Sequence, residues 1–181
     1  FTVRLFFALN FSPEVTEAIG NVQRALRQYA APGASYPGPE NLHLTLAFLG
    51  EIPSLQAEKA RMALQSLSPE PMTLRFSRLG KFKQRDAELW WLGAEPSPQL
   101  SRLQSELSSQ LIHLGFSLDN KPFRPHVTLA RKVIFPSTIP QQKVLLPKPI
   151  EAFCGTVSLM RSKLTPKGAV YTELAHKTPN A

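Results

Sequence analysis

Apolar residues along the chain fall into two kinds of pattern. Short unbroken runs, Leu5-Phe6-Phe7-Ala8-Leu9 and Leu89-Trp90-Trp91-Leu92, read as buried strands. Steps of three and four read as helix faces: Val15, Ala18, Val22, Leu26 and Tyr29, and again Leu100, Leu103, Leu107, Leu111 and Leu114. Each helix opens on Ser-Pro, Ser12-Pro13 and Ser97-Pro98. There the serine can accept from free first-turn amides, and the proline loses no hydrogen bond. A further helix is predicted over Ser54 to Leu67, and strands over Met72 to Leu79, Phe153 to Arg161 and Val170 to His176. Pro166-Lys167-Gly168 marks the turn between the last two. Residues 136–149 carry Pro136, Pro140, Pro147 and Pro149, which predicts an irregular loop.

The two patterns repeat. Pro39 to Ala47, P-E-N-L-H-L-T-L-A, matches Pro122 to Ala130, P-F-R-P-H-V-T-L-A, 83 residues later. The strand Leu5–Leu9 lies at the same offset from Glu88–Leu92, and the helices match at an offset of 85. The unit is strand, helix, loop and His-bearing strand, present twice. Two such units predict a pseudo-twofold α+β molecule of two lobes, each placing one helical face on a sheet.

Composition changes the picture in one respect. Of 181 residues, 43% are hydrophobic, which allows a packed core. No apolar stretch approaches the roughly 20 residues of a membrane span, and no secretory leader pattern is visible. One cysteine, Cys154, excludes an internal disulfide and a multi-cysteine zinc site, and fits the cytoplasm. Lys and Arg number 21 against 13 Asp and Glu, giving +8 and a pI near 9.9. A folded basic surface of this kind suits a polyanion such as nucleic acid.

The repeat also carries the chemistry. Residues i and i+2 of a strand share a face, so His43 shares one with Thr45, and His126 with Thr128. The intervening Leu44, Leu46, Val127 and Leu129 point toward the helices. A pseudo-twofold then brings two imidazoles and two hydroxyls together across a cleft. One histidine can act as acid and the other as base near neutral pH, and the hydroxyls can donate to phosphate oxygens. This suits displacement at a phosphodiester. A lone strand histidine is more often structural, but the duplication argues against that for this pair. Two histidines fall short of the three ligands of a catalytic zinc, and the nearby Glu40 and Glu51 have no counterparts in the second copy. Neither a G-x-S-x-G elbow nor a phosphate-binding glycine loop is present.

The paired motifs, His43-Leu44-Thr45-Leu46 and His126-Val127-Thr128-Leu129, resemble those of the 2H phosphoesterase superfamily. Their surroundings, Asn41 to Gly50 and Arg124 to Arg131, with the opening Arg4-Leu5-Phe6-Phe7-Ala8, are similar to the bacterial RNA 2′,3′-cyclic phosphodiesterases, also called 2′-5′ RNA ligases. The resemblance implies a fold with two mainly antiparallel sheets flanking a central cleft. Residues 1–181 would form a single domain of two intertwined lobes, each with one His-x-Thr motif. It implies a metal-free, cofactor-free hydrolase that opens a 2′,3′-cyclic phosphate to a 2′-phosphate. His43 is then the general acid, His126 the general base, and Thr45 and Thr128 hold the phosphate. The implied partners are RNA 3′ ends, tRNA fragments among them, met by a monomer with no membrane contact. Reverse 2′-5′ ligation, a 2H enzyme of 2′,5′-linked or small cyclic nucleotides, and a non-catalytic RNA-end binder remain open alternatives.

Five residues after each histidine stand Phe48 and Arg131. Both are flat groups able to stack on a base without reading its edge, so together they form a candidate clamp for the terminal base, with phosphate binding the alternative for Arg131. Phe48 has the parity of core residues unless the strand bulges first. Lys81-Phe82-Lys83-Gln84-Arg85 reads as a solvated hairpin or a guide for the RNA backbone. One ring of Trp90-Trp91 is expected in the core. His113 is expected to meet a helix end, His176 to be incidental, and Cys154 to be buried and inert.

Overall fold

The computed structural model describes residues 1–180. Among them, the order is β1 (Thr2–Asn10), α1 (Pro13–Tyr29), β2 (His43–Pro53), α2 (Ala57–Gln65), β3 (Met72–Gln84), β4 (Ala87–Ala94), α3 (Pro98–His113), β5 (His126–Val133), α4 (Gln142–Leu145), β6 (Ile150–Cys154), β7 (Val157–Thr165) and β8 (Gly168–Lys177). No helix among these residues is long and apolar enough to cross a membrane.

The two sheets expected from the repeat are fused into one. Its order is β6-β3-β4-β5-β2-β1-β7-β8, with every pairing antiparallel. The halves meet at a single ladder position, Leu44 opposite Val127. The reason lies in the inner strands: β2 and β5 each begin at their histidine and run in opposite directions, so they overlap only near their first residues. The repeat itself holds at the level of register. In the first copy Asn10, Leu9, Ala8 and Phe7 face His43, Leu44, Thr45 and Ala47; in the second Gly93, Leu92, Trp91 and Trp90 face His126, Val127, Thr128 and Ala130.

Side chains of the helices and of the alternate strand positions fill one core. Leu44, Leu46, Val127 and Leu129 are each at most 2% exposed, and pack with Ile19, Val22, Leu103 and Leu107. Helix α1 lies against β5 and β6 of the second half, and α3 against β2 of the first. The buried stripe of α1 runs Val15, Ile19, Val22, Gln23 and Leu26, whereas Tyr29 is 42% exposed. The steps of four and three from Val15 through Ile19 track the helical period, and leave Ala18 and Tyr29 at the edges of that face. Ser97 Oγ accepts from Leu100 N–H at 3.2 Å, as expected of a cap. Ser12 caps without a side-chain bond, so Pro13 and the acidic Glu14 carry that helix start.

The expected strand Phe153–Arg161 is broken, with β6 ending at Cys154 and β7 starting at Val157. Gly155 lies at the break, where a Cβ would sit 2.9 Å from the Glu70 carbonyl oxygen and 2.7 Å from Pro179. The proline-rich 136–149 segment is irregular apart from the one-turn α4.

Candidate active site

The Leu44–Val127 pair is the centre of the site. Continuing its antiparallel register sets His43 beside Thr128 and Thr45 beside His126. The two motifs thus form a square of two imidazoles and two hydroxyls on the face opposite the helices. Each side of the square is extended by a partner strand, with Asn10 beside His43 and Trp91 beside Thr128.

The imidazoles are oriented alike. His43 Nδ1–H donates to the Asn41 carbonyl, and His126 Nδ1–H to the Arg124 carbonyl, both at 2.7 Å. A carbonyl can only accept, so Nδ1 carries the proton and Nε2 is left for the cleft. His43 Nε2 lies 3.1 Å from Thr45 Oγ1. Their surroundings differ. Burial holds His43 below its ordinary value of 6.5; the bond to Asn41 opposes this, and the charges of Arg131 and His126 add to it. Those two charges also place Arg131 and His126 within electrostatic reach of His43. Phe6 and Tyr171 pack on the His43 ring, at centroid distances of 4.9 and 5.3 Å.

Phe48 is not core. Both copies bulge at the same place: the ladder passes from Thr45 to Ala47 and from Thr128 to Ala130, skipping Leu46 and Leu129. The extra residue reverses the parity, so Phe48 shares the face of Thr45 and is 49% exposed. Arg4 stacks over its ring at 5.1 Å. Phe48 and Arg131 do not clamp one base from two sides, however. Each lies about three residues beyond the central pair in opposite directions, so at about 3.3 Å per residue they are roughly 20 Å apart along the strands. Phe48 flanks the His126 end of the square and Arg131 the His43 end.

The remaining candidates sort by position. Trp90 is buried with Leu26, Ala130, Val133 and Leu145. Trp91 lies on the cleft face, 6.1 Å from the His126 ring. Its indole covers Gly80 and Gly93, where a Cβ would come within 2.0 and 2.8 Å of the ring, so only glycine fits beneath it. The basic segment is an exposed hairpin in which Lys81 pairs with Glu88 at 3.2 Å, but Phe82 turns back to within 6.5 Å of the His126 ring. His113 ends α3 and is exposed. Burial pushes the Cys154 thiol up to about 11, which leaves it unreactive. Among the described residues no three His, Cys, Asp or Glu side chains converge.

His176 joins an exposed chain of hydrogen bonds. Its Nδ1–H donates to Glu173 Oε1 at 2.8 Å, Ser158 Oγ–H donates to Glu173 Oε2 at 2.8 Å, and Asn10 Nδ2–H donates to Ser158 Oγ at 2.5 Å. This chain ends beside His43. Sequence reasoning passed over Asn10, although the 83-residue offset pairs it with Gly93 next to the second histidine.

The profile of the 2′-5′ RNA ligase superfamily matches residues 9–165. The chain belongs to this family. It is 31% identical over 177 residues to a Thermotoga maritima protein named RNA 2′,3′-cyclic phosphodiesterase, covering 95% of this chain and 93% of that one. An Escherichia coli protein of the same name is 37% identical over 140 residues, 76% of each chain. Among solved structures, E. coli LigT complexed with 3′-AMP superposes with a TM-score of 0.78 at 26% identity over 100% of both chains. A Thermus thermophilus structure superposes with 0.80 at 29% identity over 97% of both.

Proposed function

We propose that this chain hydrolyses RNA 2′,3′-cyclic phosphate ends to 2′-phosphates, without a metal, by general acid–base catalysis divided between His43 and His126. The observation that carries the reading is the square: two imidazoles fixed by the same Nδ1 bond, each presenting Nε2 on one face, with a hydroxyl beside each. Curated relatives named for this reaction support the substrate class.

In this reading the cyclic phosphate sits over the square, with its nonbridging oxygens toward Thr45 and Thr128. His126 Nε2 takes a proton from water as it attacks phosphorus. The P–O3′ bond breaks, and protonated His43 gives its proton to O3′. The product keeps the phosphate on O2′. Proton exchange with solvent then resets the pair. Arg131, at the His43 end, meets the charge that builds on phosphate. Phe48, at the other end, offers its ring to the base. Burial disfavours the charged form of His43, and an anion bound over the square favours it. A 5′-hydroxyl replacing water would give a 2′-5′ linkage by the same proton transfers. RNA ends such as tRNA fragments, met by a cytoplasmic monomer, are the substrates of this reading.

The test is incubation of EDTA-treated protein with an RNA ending in a 2′,3′-cyclic phosphate. Full activity with a 2′-phosphate product is expected. A 3′-phosphate product, or loss of activity restored by zinc or manganese, overturns it.

A further inference from the structure

The flanks of the two histidines are built differently. In the first copy Ala8 and Ser158 lie side by side next to Thr45. That flank is closed by the Asn10–Ser158 hydrogen bond and by the rings of Phe6 and Tyr171. The second copy has Trp91 and Gly80 at the equivalent places, next to Thr128. The indole lies flat over Gly80 and Gly93, and its Nε1–H is buried with no partner among the described residues. An unpaired buried donor costs stability, and such a cost in a folded protein calls for an explanation. The flat pose supplies one. With glycines beneath one face, the other borders a cavity of about 300 Å³ that also touches Arg78, Arg124 and His126.

This cavity is cationic. Arg78, Gly93 and His126 stand in one row across β3, β4 and β5, so at roughly 4.8 Å per strand Arg78 is about 10 Å from His126 with only a glycine between. Its guanidinium lies over the Trp91 ring, 5.4 Å from the centroid. The neighbouring cations of β3 are held by carboxylates, Arg75 by Glu95 and Glu151, and Lys81 by Glu88. Arg78 and Arg124 meet no carboxylate among the described residues. Two such guanidinium forks beside a flat ring suit a phosphodiester and the sugar or base attached to it.

Phe82, Phe123, Arg124 and His126 also border a second cavity, of about 760 Å³, which runs past Phe48 toward α3. In the proposed phosphodiesterase reading Phe48 meets the terminal base there. The two cavities adjoin along these shared residues, so a strand running back through O5′ of the terminal ribose can cross from one to the other.

We infer that the cavity of Arg78, Trp91 and Arg124 binds the phosphodiester one nucleotide upstream of the cyclic end, with Trp91 as the platform for the preceding nucleotide. The inference rests on the phosphodiesterase reading and adds a substrate class to it: an RNA strand of two or more nucleotides, in preference to a mononucleotide.

Three substrates test this: a nucleoside 2′,3′-cyclic phosphate, a dinucleotide ending in that cyclic nucleotide, and the same dinucleotide with a neutral methylphosphonate in place of its internal phosphodiester. Wild-type kcat/KM is expected to be roughly 5- to 20-fold higher for the charged dinucleotide than for the neutral one, the worth of a partly exposed charge-assisted contact. Arg78→Gln, a change at an exposed position, should remove that advantage and leave the neutral dinucleotide and the mononucleotide unchanged. Equal wild-type rates on the two dinucleotides, a loss in Arg78→Gln equal across all three substrates, or no loss at all overturns the site while leaving the phosphodiesterase reading standing. Failure of wild type to open any of the three defeats that reading, and the site with it.

Discussion

The first and second copies share a backbone and differ in what surrounds it. Register, bulge position and the Nδ1 bond to the carbonyl two residues earlier are the same in both. The neighbours are not. Asn10 stands where the second copy has Gly93, Ala8 where it has Trp91, Phe48 where it has Arg131, and Gln23 where it has Ser108. His43 is packed by Phe6 and Tyr171 and feels Arg131, whereas the bond that orients His126 lies at an exposed position beside an open cavity. Duplication therefore supplies two imidazoles in one orientation, and the unequal neighbours make them unequal groups.

The largest expected effect follows from that division of labour. His43→Ala and His126→Ala should each lower kcat by about 10²- to 10⁴-fold, the usual worth of one positioned acid or base. The double variant should lose little more than the worse single one, because acid and base act in the same step. Unchanged circular dichroism would show that the fold survives. Single variants with near-wild-type rates, or strictly multiplicative losses, would mean that the two copies do not act together.

Much of this was legible in the sequence, because a strand pattern of period two fixes which residues share a face. The pairing of His43 with Thr45 and of His126 with Thr128, and the burial of Leu44, Leu46, Val127 and Leu129, follow from that period alone. What was not legible depends on long-range register. The outward turn of Phe48 needs a bulge, which is set by pairing with β1 rather than by residues 43–48. The roughly 20 Å between Phe48 and Arg131 needs the direction of β5 relative to β2, which two identical motifs do not reveal. The fused sheet rests on one ladder position, too small a feature to read from sequence. The link from His176 to Asn10 spans nearly the whole chain and has no local signature.

A smaller effect separates two equivalent helix positions, Gln23 of α1 and Ser108 of α3. Gln23→Leu leaves the carbonyls of Leu129 and Pro37 without the donor they share, one of them in a buried bond. Stability should fall by about 1–3 kcal/mol, a drop of several degrees in Tm for a chain this size. Ser108→Leu at the equivalent position removes only an acceptor for Gln104, whose amide can turn to solvent in the open cavity, and should shift Tm far less. Similar losses in calorimetry for both variants would mean that the two helix positions carry equal weight in the fold.

The smallest effect concerns how the second copy acts on the first. His43 in the folded chain resists protonation, chiefly through burial and to a lesser degree through Arg131. In the unfolded chain it titrates near its ordinary 6.5. Between that value and its lower folded one, the unfolded chain binds the extra proton, so unfolding becomes easier as pH falls. The stability linked to His43 is therefore complete above pH 6.5 and is lost progressively below it. His43→Gln, which carries no titrating ring, should show a shallower decline of unfolding free energy across that window than wild type. Arg131→Gln should lie between the two, because it removes the lesser cause and leaves the burial. Inorganic phosphate should flatten the wild-type decline, since an anion over the square favours the protonated ring. Urea titrations from about pH 8 to about pH 5 measure all four slopes. An Arg131→Gln slope indistinguishable from wild type would mean that the second copy's arginine does not reach the first copy's histidine in solution, and that Arg131 serves something other than the phosphate at His43.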